Sequence, residues 1–233
     1  MELHADAIQG FFNVPVDHLR ASKQLLAGIK EHTFLKPRNS TFISPDAGGV
    51  ARVRKYVNFV RCMLAIIFKY RSSPTVSEVM EFIGNVKGRY AYIIDDMIQS
   101  GGTLVGAVSK LIAEGAKQVY IVIIHWDGCD DYLKNMKLLM CSGAVSKFII
   151  TDTVPLPPEI RNLPNVVVIS VAPLFAEVIK RIYLGDSVSP LYEINGETKS
   201  KKKLEKSVPV EIQLKDVIKK YRNIDIDLDE ITA

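Results

Sequence analysis

Six short apolar runs rich in β-branched residues recur along the chain: TFIS at 41–44, MLAIIF at 63–68, YAYII at 90–94, VYIVII at 119–124, KFIIT at 147–151 and VVVIS at 166–170. Between most of them lie segments with helical period. VARVRKYVNFV places Val50, Val53, Val57 and Val60 on one face and Arg52, Arg54, Lys55 and Asn58 elsewhere. LVGAVSKLIAEGA stops at Gly115 and APLFAEVIKRIYLG at Gly185, as helices ended by a C-terminal glycine do. Continuous apolar strands alternating with helices predict an α/β fold, a parallel sheet flanked by helices on both faces. In such sheets ligands bind beyond the carboxyl ends of the strands.

Composition narrows the function. Apolar residues make up 48% of 233, enough for a substantial core. A net charge of +4 is too small to point to nucleic acid, so no nucleic-acid partner is expected. Cys62, Cys129 and Cys141 are odd in number and lack CxxC spacing, which suits reduced thiols and a cytoplasmic location. No apolar run approaches the ~18 residues of a membrane helix, and no signal peptide precedes the first strand, so no membrane association is expected. From Glu193 the chain becomes charged. The run Lys199 to Lys206 reads as a solvated linker or as a contact for phosphate or an acidic partner, and IQLKDVIKKY has the spacing of an amphipathic helix.

Three strands end in loops with pointed chemistry. In SPDAGGV, Asp46 precedes Gly48 and Gly49 at a helix entrance. The segment reads either as a tight turn capped by Asp46 or as a cradle for an anion carried with Mg²⁺. In YIIDDMIQSGGTL, the acids Asp95 and Asp96 end an apolar run, and Ser100, Gly101, Gly102 and Thr103 lead into a helix. Ionised carboxylates accept hydrogen bonds from a sugar diol, and the small-residue loop can grip a phosphate through backbone N–H groups. Diol and phosphate on one ligand mean a sugar phosphate; the bland alternative is a strand end with solvated acids. The spacing matches neither a P-loop nor a dinucleotide fingerprint. In FKYRSSPTVSE, Lys69 and Arg71 stand two apart, so an extended chain points both to one side. They read as a solvated basic loop or as a closing pair that stabilises developing phosphoryl charge.

Taken together and in order, these motifs resemble the ribose-phosphate pyrophosphokinases, or PRPP synthetases, over residues 2–193. SPDAGGVAR is similar to that family's pyrophosphate loop. AIIFKYRSSPTVSEVMEFIG is similar to its catalytic flexible loop and following helix, and IIDDMIQSGGTL to its ribose-5-phosphate loop. LHADAIQGFFNVPVDHL is similar to its segment with a metal- and ATP-associated histidine, and GDSVSPLYE to its C-terminal end. The resemblance implies a type I phosphoribosyltransferase-like fold. It also implies transfer of pyrophosphate from ATP to ribose 5-phosphate, with Mg²⁺, to make PRPP for nucleotide biosynthesis. It assigns Lys69 and Arg71 to catalysis, and Asp95, Asp96, Gln99, Ser100, Gly101, Gly102 and Thr103 to ribose 5-phosphate. Asp46, Ala47, Gly48 and Gly49 fall to pyrophosphate, and His4 and Asp46 to the metal.

Three positions depart from the family pattern. Gln99 stands where a third aspartate is usual, Phe68 where a polar residue is usual, and WDGCDDYLKNM diverges after His125. The family has two similar domains. The expectation is therefore a remnant of the first at 1–20, a phosphoribosyltransferase-like domain at 21–192 and a charged tail at 193–233. On that expectation the ATP half-site is incomplete, and a homo-oligomer or a hetero-oligomer with a full-length PRPP synthetase completes it. Two other functions compete: a non-catalytic regulatory subunit of the same family, and a phosphoribosyltransferase that consumes PRPP. The loop around Lys69 and the segment around His4 argue against the second.

Overall fold

The computed structural model describes residues 1–70, 79–128 and 132–192. Arg71, Cys129, the lysine run, the amphipathic segment and the rest of the tail lie outside them. Residues 1–194 make one compact unit. Its elements are α1 (Ser22–His32), β1 (Ser40–Ser44), α2 (Val50–Val60), β2 (Met63–Tyr70), β3 (Val79–Ile83), β4 (Tyr90–Ile98), α3 (Gly102–Ala113), β5 (Gln118–Trp126), α4 (Tyr132–Cys141), β6 (Val145–Thr151), α5 (Pro158–Arg161), β7 (Val166–Ile169) and α6 (Ala172–Leu184).

The strands form one seven-stranded sheet in the order β3-β2-β1-β4-β5-β6-β7. Every pairing is parallel except β2 with β3. All six expected strands are present. The order runs down from β1 to β3 on one side and up from β4 to β7 on the other, so the chain reverses direction across the sheet between β1 and β4. Crevices open at such a reversal, at the carboxyl ends of the strands.

One expectation is overturned. The residues after the basic loop form β3, not a helix. Val79, Phe82 and Ile83 are strand formers, and β3 pairs antiparallel with β2 from Ile66 opposite Ile83 to Tyr70 opposite Val79. Met80 and Phe82 pack against the main core, a gain that a lone helix at the sheet edge would forgo.

Alternation along the strands explains why both faces are dry. On β4, Ala91 and Ile93 enter a core with Leu104, Val108 and Leu111 of α3 and Met136 and Leu139 of α4. Tyr90, Tyr92 and Ile94 enter the opposite core with Leu25 and Ile29 of α1 and Val53 and Tyr56 of α2. Across β1, β4 and β5 there, Phe42 meets Tyr92 edge-on with ring centroids 5.0 Å apart, and Tyr92 stacks on Tyr120 at 4.7 Å. The stripe of α2 uses Tyr56 as well as the valines, and α3 and α6 end as expected, with Gly115 at φ +81 and Gly185 at φ +73. Among the described residues no helix is long and apolar enough to cross a membrane. Ile93 is fully buried at the centre of the sheet. Ile93→Ala is expected to lower unfolding free energy in a urea titration by about 2–5 kcal/mol, the range for emptying such a site; a loss under about 1 kcal/mol would contradict this account of the core.

Candidate active site

β1 and β4, the two strands at the reversal, end in the two loops singled out above. β1 ends at Ser44, and residues 45–49 lead straight into α2. The turn is closed by the Gly49 N–H donating to Asp46 Oδ1 at 2.7 Å and by the Ser44 hydroxyl donating to the Asp46 carbonyl at 2.7 Å. A Cβ on Gly49 would lie 2.7 Å from Ser44 Oγ, so a side chain there would displace the hydroxyl that closes the turn. Asp46 thus does cap its turn through one oxygen, and the anion cradle and the cap are compatible.

β4 runs four residues further than the apolar pattern, to Ile98, so Asp95 and Asp96 lie inside the strand rather than beyond it. Parallel pairing with β5 carries it on, with Asp95 opposite Ile123 and Ile98 opposite Trp126. Asp96 continues the Tyr90, Tyr92, Ile94 row toward α2 and is only 3% exposed. Gly101 sits at φ +75 and opens α3, which has no side-chain cap. The Gly102 N–H donates to Ser100 Oγ at a long 3.4 Å, and the N–H groups of a helix start suit a phosphate. The Asn135 amide of α4 donates to the Ser100 carbonyl at 2.8 Å and supports the loop from behind.

The acids are held from the α2 side. Arg52 in the first turn of α2 places Nη2 2.9 Å from Asp96 Oδ2 and Nη1 3.3 Å from Asp95 Oδ1. Its side chain is one-fifth exposed, so it belongs to the site and not to the solvated face on which its spacing places it. His4 Nδ1 lies 2.8 Å from Asp96 Oδ2. An ionised carboxylate only accepts, so Nδ1 carries a proton, and in the neutral imidazole Nε2 presents its lone pair. The segment bearing His4 is anchored by Glu2, which is 5% exposed. Glu2 accepts the Ala21 N–H at 2.9 Å and the Arg20 guanidinium at 3.2 Å, while its carbonyl accepts from His125 Nε2 at 3.1 Å. Glu2, Leu3, His4, Arg20, Gly48 and Arg52 line part of a cleft of about 160 Å³ beside the turn.

These surroundings push the two adjacent acids apart. Burial, the Asp96 charge and the more distant Asp46 raise the Asp95 carboxyl to about 7. Burial also pushes Asp96 up, but the His4 hydrogen bond and the Arg52 charge outweigh it and hold that carboxyl below the usual range. Opposite shifts in neighbouring acids mark sites that do chemistry or bind ligand more often than structural positions.

Of the residues named from sequence, His4, Asp46, Gly48, Gly49, Asp95 and Asp96 are joined in this way through Arg52 and the turn. Ala47 lies between Asp46 and Gly48 in the same turn. Ser100, Gly101, Gly102 and Thr103 form the adjoining loop and helix start. Gln99 turns to Asp127, donating from Nε2 to Oδ2 at 3.1 Å. Lys69 is on β2 opposite Met80. Arg52, Glu2, Asn135, Asp127 and His125 were missed. Only Arg52, a cation just past a Gly-Gly turn, carried a local signal; the others act across 18 residues or more. Among the described residues no three of His, Cys, Asp and Glu converge as a metal cage. A hard cation carried on phosphates needs only one or two protein ligands. The Asp96-oriented imidazole with its outward Nε2 is the arrangement by which a carboxylate prepares a histidine for metal, so the residues present fit such an ion.

Comparison with known proteins follows this geometry. The family model described as the phosphoribosyl synthetase-associated domain matches residues 61–193. The ribose-phosphate pyrophosphokinase of Fusobacterium nucleatum is 38% identical over 192 residues, covering 82% of this chain and 59% of that one. That of Burkholderia pseudomallei is 40% identical over 195 residues, covering 82% and 58%. The crystal structure of phosphoribosylpyrophosphate synthetase from Mycobacterium smegmatis superposes with a TM-score of 0.68 at 36% identity, covering 79% of this chain and 57% of that one. The chain therefore spans under two thirds of the length of these relatives.

The raised Asp95 has a consequence for stability. Its folded carboxyl keeps a proton that the unfolded chain, titrating near 3.8, has released. Its contribution is therefore intact below about pH 4 and is lost as pH rises through about 7. Asp95→Asn is expected to stabilise the ligand-free protein at pH 8 by about 1–3 kcal/mol, and clearly less at pH 5. An equal effect at both pH values in thermal melts would remove the electrostatic explanation.

Proposed function

The chain belongs to the ribose-phosphate pyrophosphokinase, or PRPP synthetase, family, and from that premise we propose that it takes part in making PRPP from ATP and ribose 5-phosphate. The observation that carries this reading is the meeting of two loops at the sheet's reversal. One, residues 46–49, is a glycine turn at a helix entrance, and the other offers a carboxylate pair beside a helix start without a side-chain cap. In this reading the ribose hydroxyls donate to Asp95 and Asp96. The 5-phosphate lies on the N–H groups of residues 100–103 with the Ser100 and Thr103 hydroxyls. The β,γ-phosphates of ATP lie against residues 46–49.

The C1 oxygen of ribose 5-phosphate then bonds to the β-phosphorus as the bond from that phosphorus to the α,β-bridging oxygen breaks. AMP departs, and the hydroxyl proton passes to water. Asp46 and His4 Nε2 would hold Mg²⁺, which supplies charge neutralisation on the phosphates when bound. The protein's own share is positioning, together with cations from Lys69 and Arg71 where negative charge develops. Assembly with copies of itself or with a longer relative belongs to the same proposal. Phe11 and Val14 before α1 and Ile179 and Leu184 on α6 are apolar and more than half exposed, as side chains covered in an oligomer are.

A second reading, a non-catalytic subunit of the family, is favoured by one observation. Gln99 brings no charge to the ribose loop, and its amide is spent on Asp127. Two experiments separate the readings. Asp96→Asn and Thr103→Val are each expected to weaken ribose 5-phosphate binding by about 1–3 kcal/mol in calorimetry, the scale of a hydrogen bond to a charged group; unchanged affinity in both sinks the assigned site. In an assembly that forms PRPP, Lys69→Ala in this chain is expected to lower kcat with little change in ribose 5-phosphate affinity, because its charge meets the transition state. An unaltered kcat would make this chain the non-catalytic partner.

A further inference from the structure

Arg52 touches both halves of the site at once. Its guanidinium donates to Asp95 and Asp96, the acids assigned to the sugar. The same Nη1 lies 3.7 Å from where a Cβ on Gly49 would stand, so it also borders the turn assigned to pyrophosphate. Arg52 is held by the first turn of α2, three residues beyond that turn, and its backbone N–H donates to the Gly49 carbonyl at 3.0 Å. His4 Nδ1 bonds the same Asp96 Oδ2 at 2.8 Å.

We propose that Arg52 is a positioning residue that couples the two ligand sites, so that a sugar diol on Asp95 and Asp96 and a polyphosphate on residues 46–49 each strengthen the other's binding. The inference rests on the ligand assignments above and adds a link between them. Without ligands, the guanidinium is the main positive charge that compensates the buried acid pair. Diol hydroxyls donating to those acids compete for the oxygens that Arg52 uses and leave its N–H groups short of acceptors. A polyphosphate at Gly48 and Gly49 supplies acceptors for the same planar fork, for which arginine geometry is suited. In the other order, a polyphosphate that draws the fork toward the turn frees carboxylate lone pairs for the diol. Coupling of binding free energies is reciprocal, so one factor describes both directions.

The test is titration calorimetry of ribose 5-phosphate into the whole chain, with and without saturating inorganic pyrophosphate and Mg²⁺, and the reverse titration. The wild-type protein is expected to bind each ligand at least about fivefold more tightly when the other is present, the lower end of common couplings. Arg52→Ala is expected to reduce that factor below about twofold. Arg52→Lys, which keeps the charge and spares the acid pair from being left alone, is expected to fall between, because an ammonium cannot span both carboxylates and the turn. If both ligands bind the wild-type chain but neither changes the other's affinity, the coupling is refuted while the site assignment stands. An unchanged coupling factor in folded Arg52→Lys and Arg52→Ala proteins refutes the role of Arg52. Failure of the wild-type chain to bind either ligand overturns both the site and the link.

Discussion

A carboxylate buried at the end of a dry strand must be compensated, and the compensation of Asp96 organises this site. Burying an ionised group without partners costs far more than a domain's net stability. Asp96 is nearly inaccessible, yet its carboxyl stays below the ordinary range because Arg52 and His4 reach it from two different parts of the chain. That requirement fixes the first turn of α2 against β4. It also fixes the segment before α1, whose path is set by Glu2 and by the His125 contact to the Glu2 carbonyl. Asp95 receives less help, with one long contact to the shared guanidinium, and is pushed up instead. Two neighbouring acids on one strand thus differ because Asp96 takes both the 2.9 Å contact to Arg52 and the His4 hydrogen bond, whereas Asp95 has only the 3.3 Å contact to Arg52.

Much of this architecture is legible in the sequence, and the reason is the doubly covered sheet. Strands buried on both faces must be continuously apolar, so TFIS, MLAIIF, YAYII and VYIVII announce themselves without reference to partners. Gly115 and Gly185 mark their helix ends because the left-handed backbone there is open to glycine. Turn chemistry at Asp46 to Gly49 is local as well. Legibility fails where pairing overrides the local pattern. β4 continues through two charged residues because β5 lies alongside it as far as Trp126, and no apolar count can foresee that. VMEFI is short enough to be read either way, and its strand state comes from β2 beside it.

Arg52 shows the same limit for the site. On a helical wheel it belongs with Arg54 and Lys55 on the polar side of α2. Its burial follows from the acids of β4, 43 and 44 positions later, and therefore from the placement of β4 beside β1 in the sheet. Surface ion pairs contribute little, commonly under about 1 kcal/mol. A guanidinium bridging two poorly hydrated carboxylates is different, because removing it leaves a buried charge unpaired. The residue that matters most to the acids is thus the one whose importance is set by tertiary structure alone.

The loop between β4 and α3 has a separate support, and the separation has mechanical meaning. Gln99 is tied to Asp127 at the end of β5, the Ile98 carbonyl accepts the Asp127 N–H at 2.9 Å, and Asn135 of α4 holds the Ser100 carbonyl. None of these groups contacts Arg52 or His4 among the described residues. The acids are therefore braced from the α2 side of the sheet and the turn before α3 from the α4 side, with β4 as the shared member. A glutamine at position 99 fits this division, since its amide can donate to Asp127, whereas a carboxylate there would face Asp127 as a like charge.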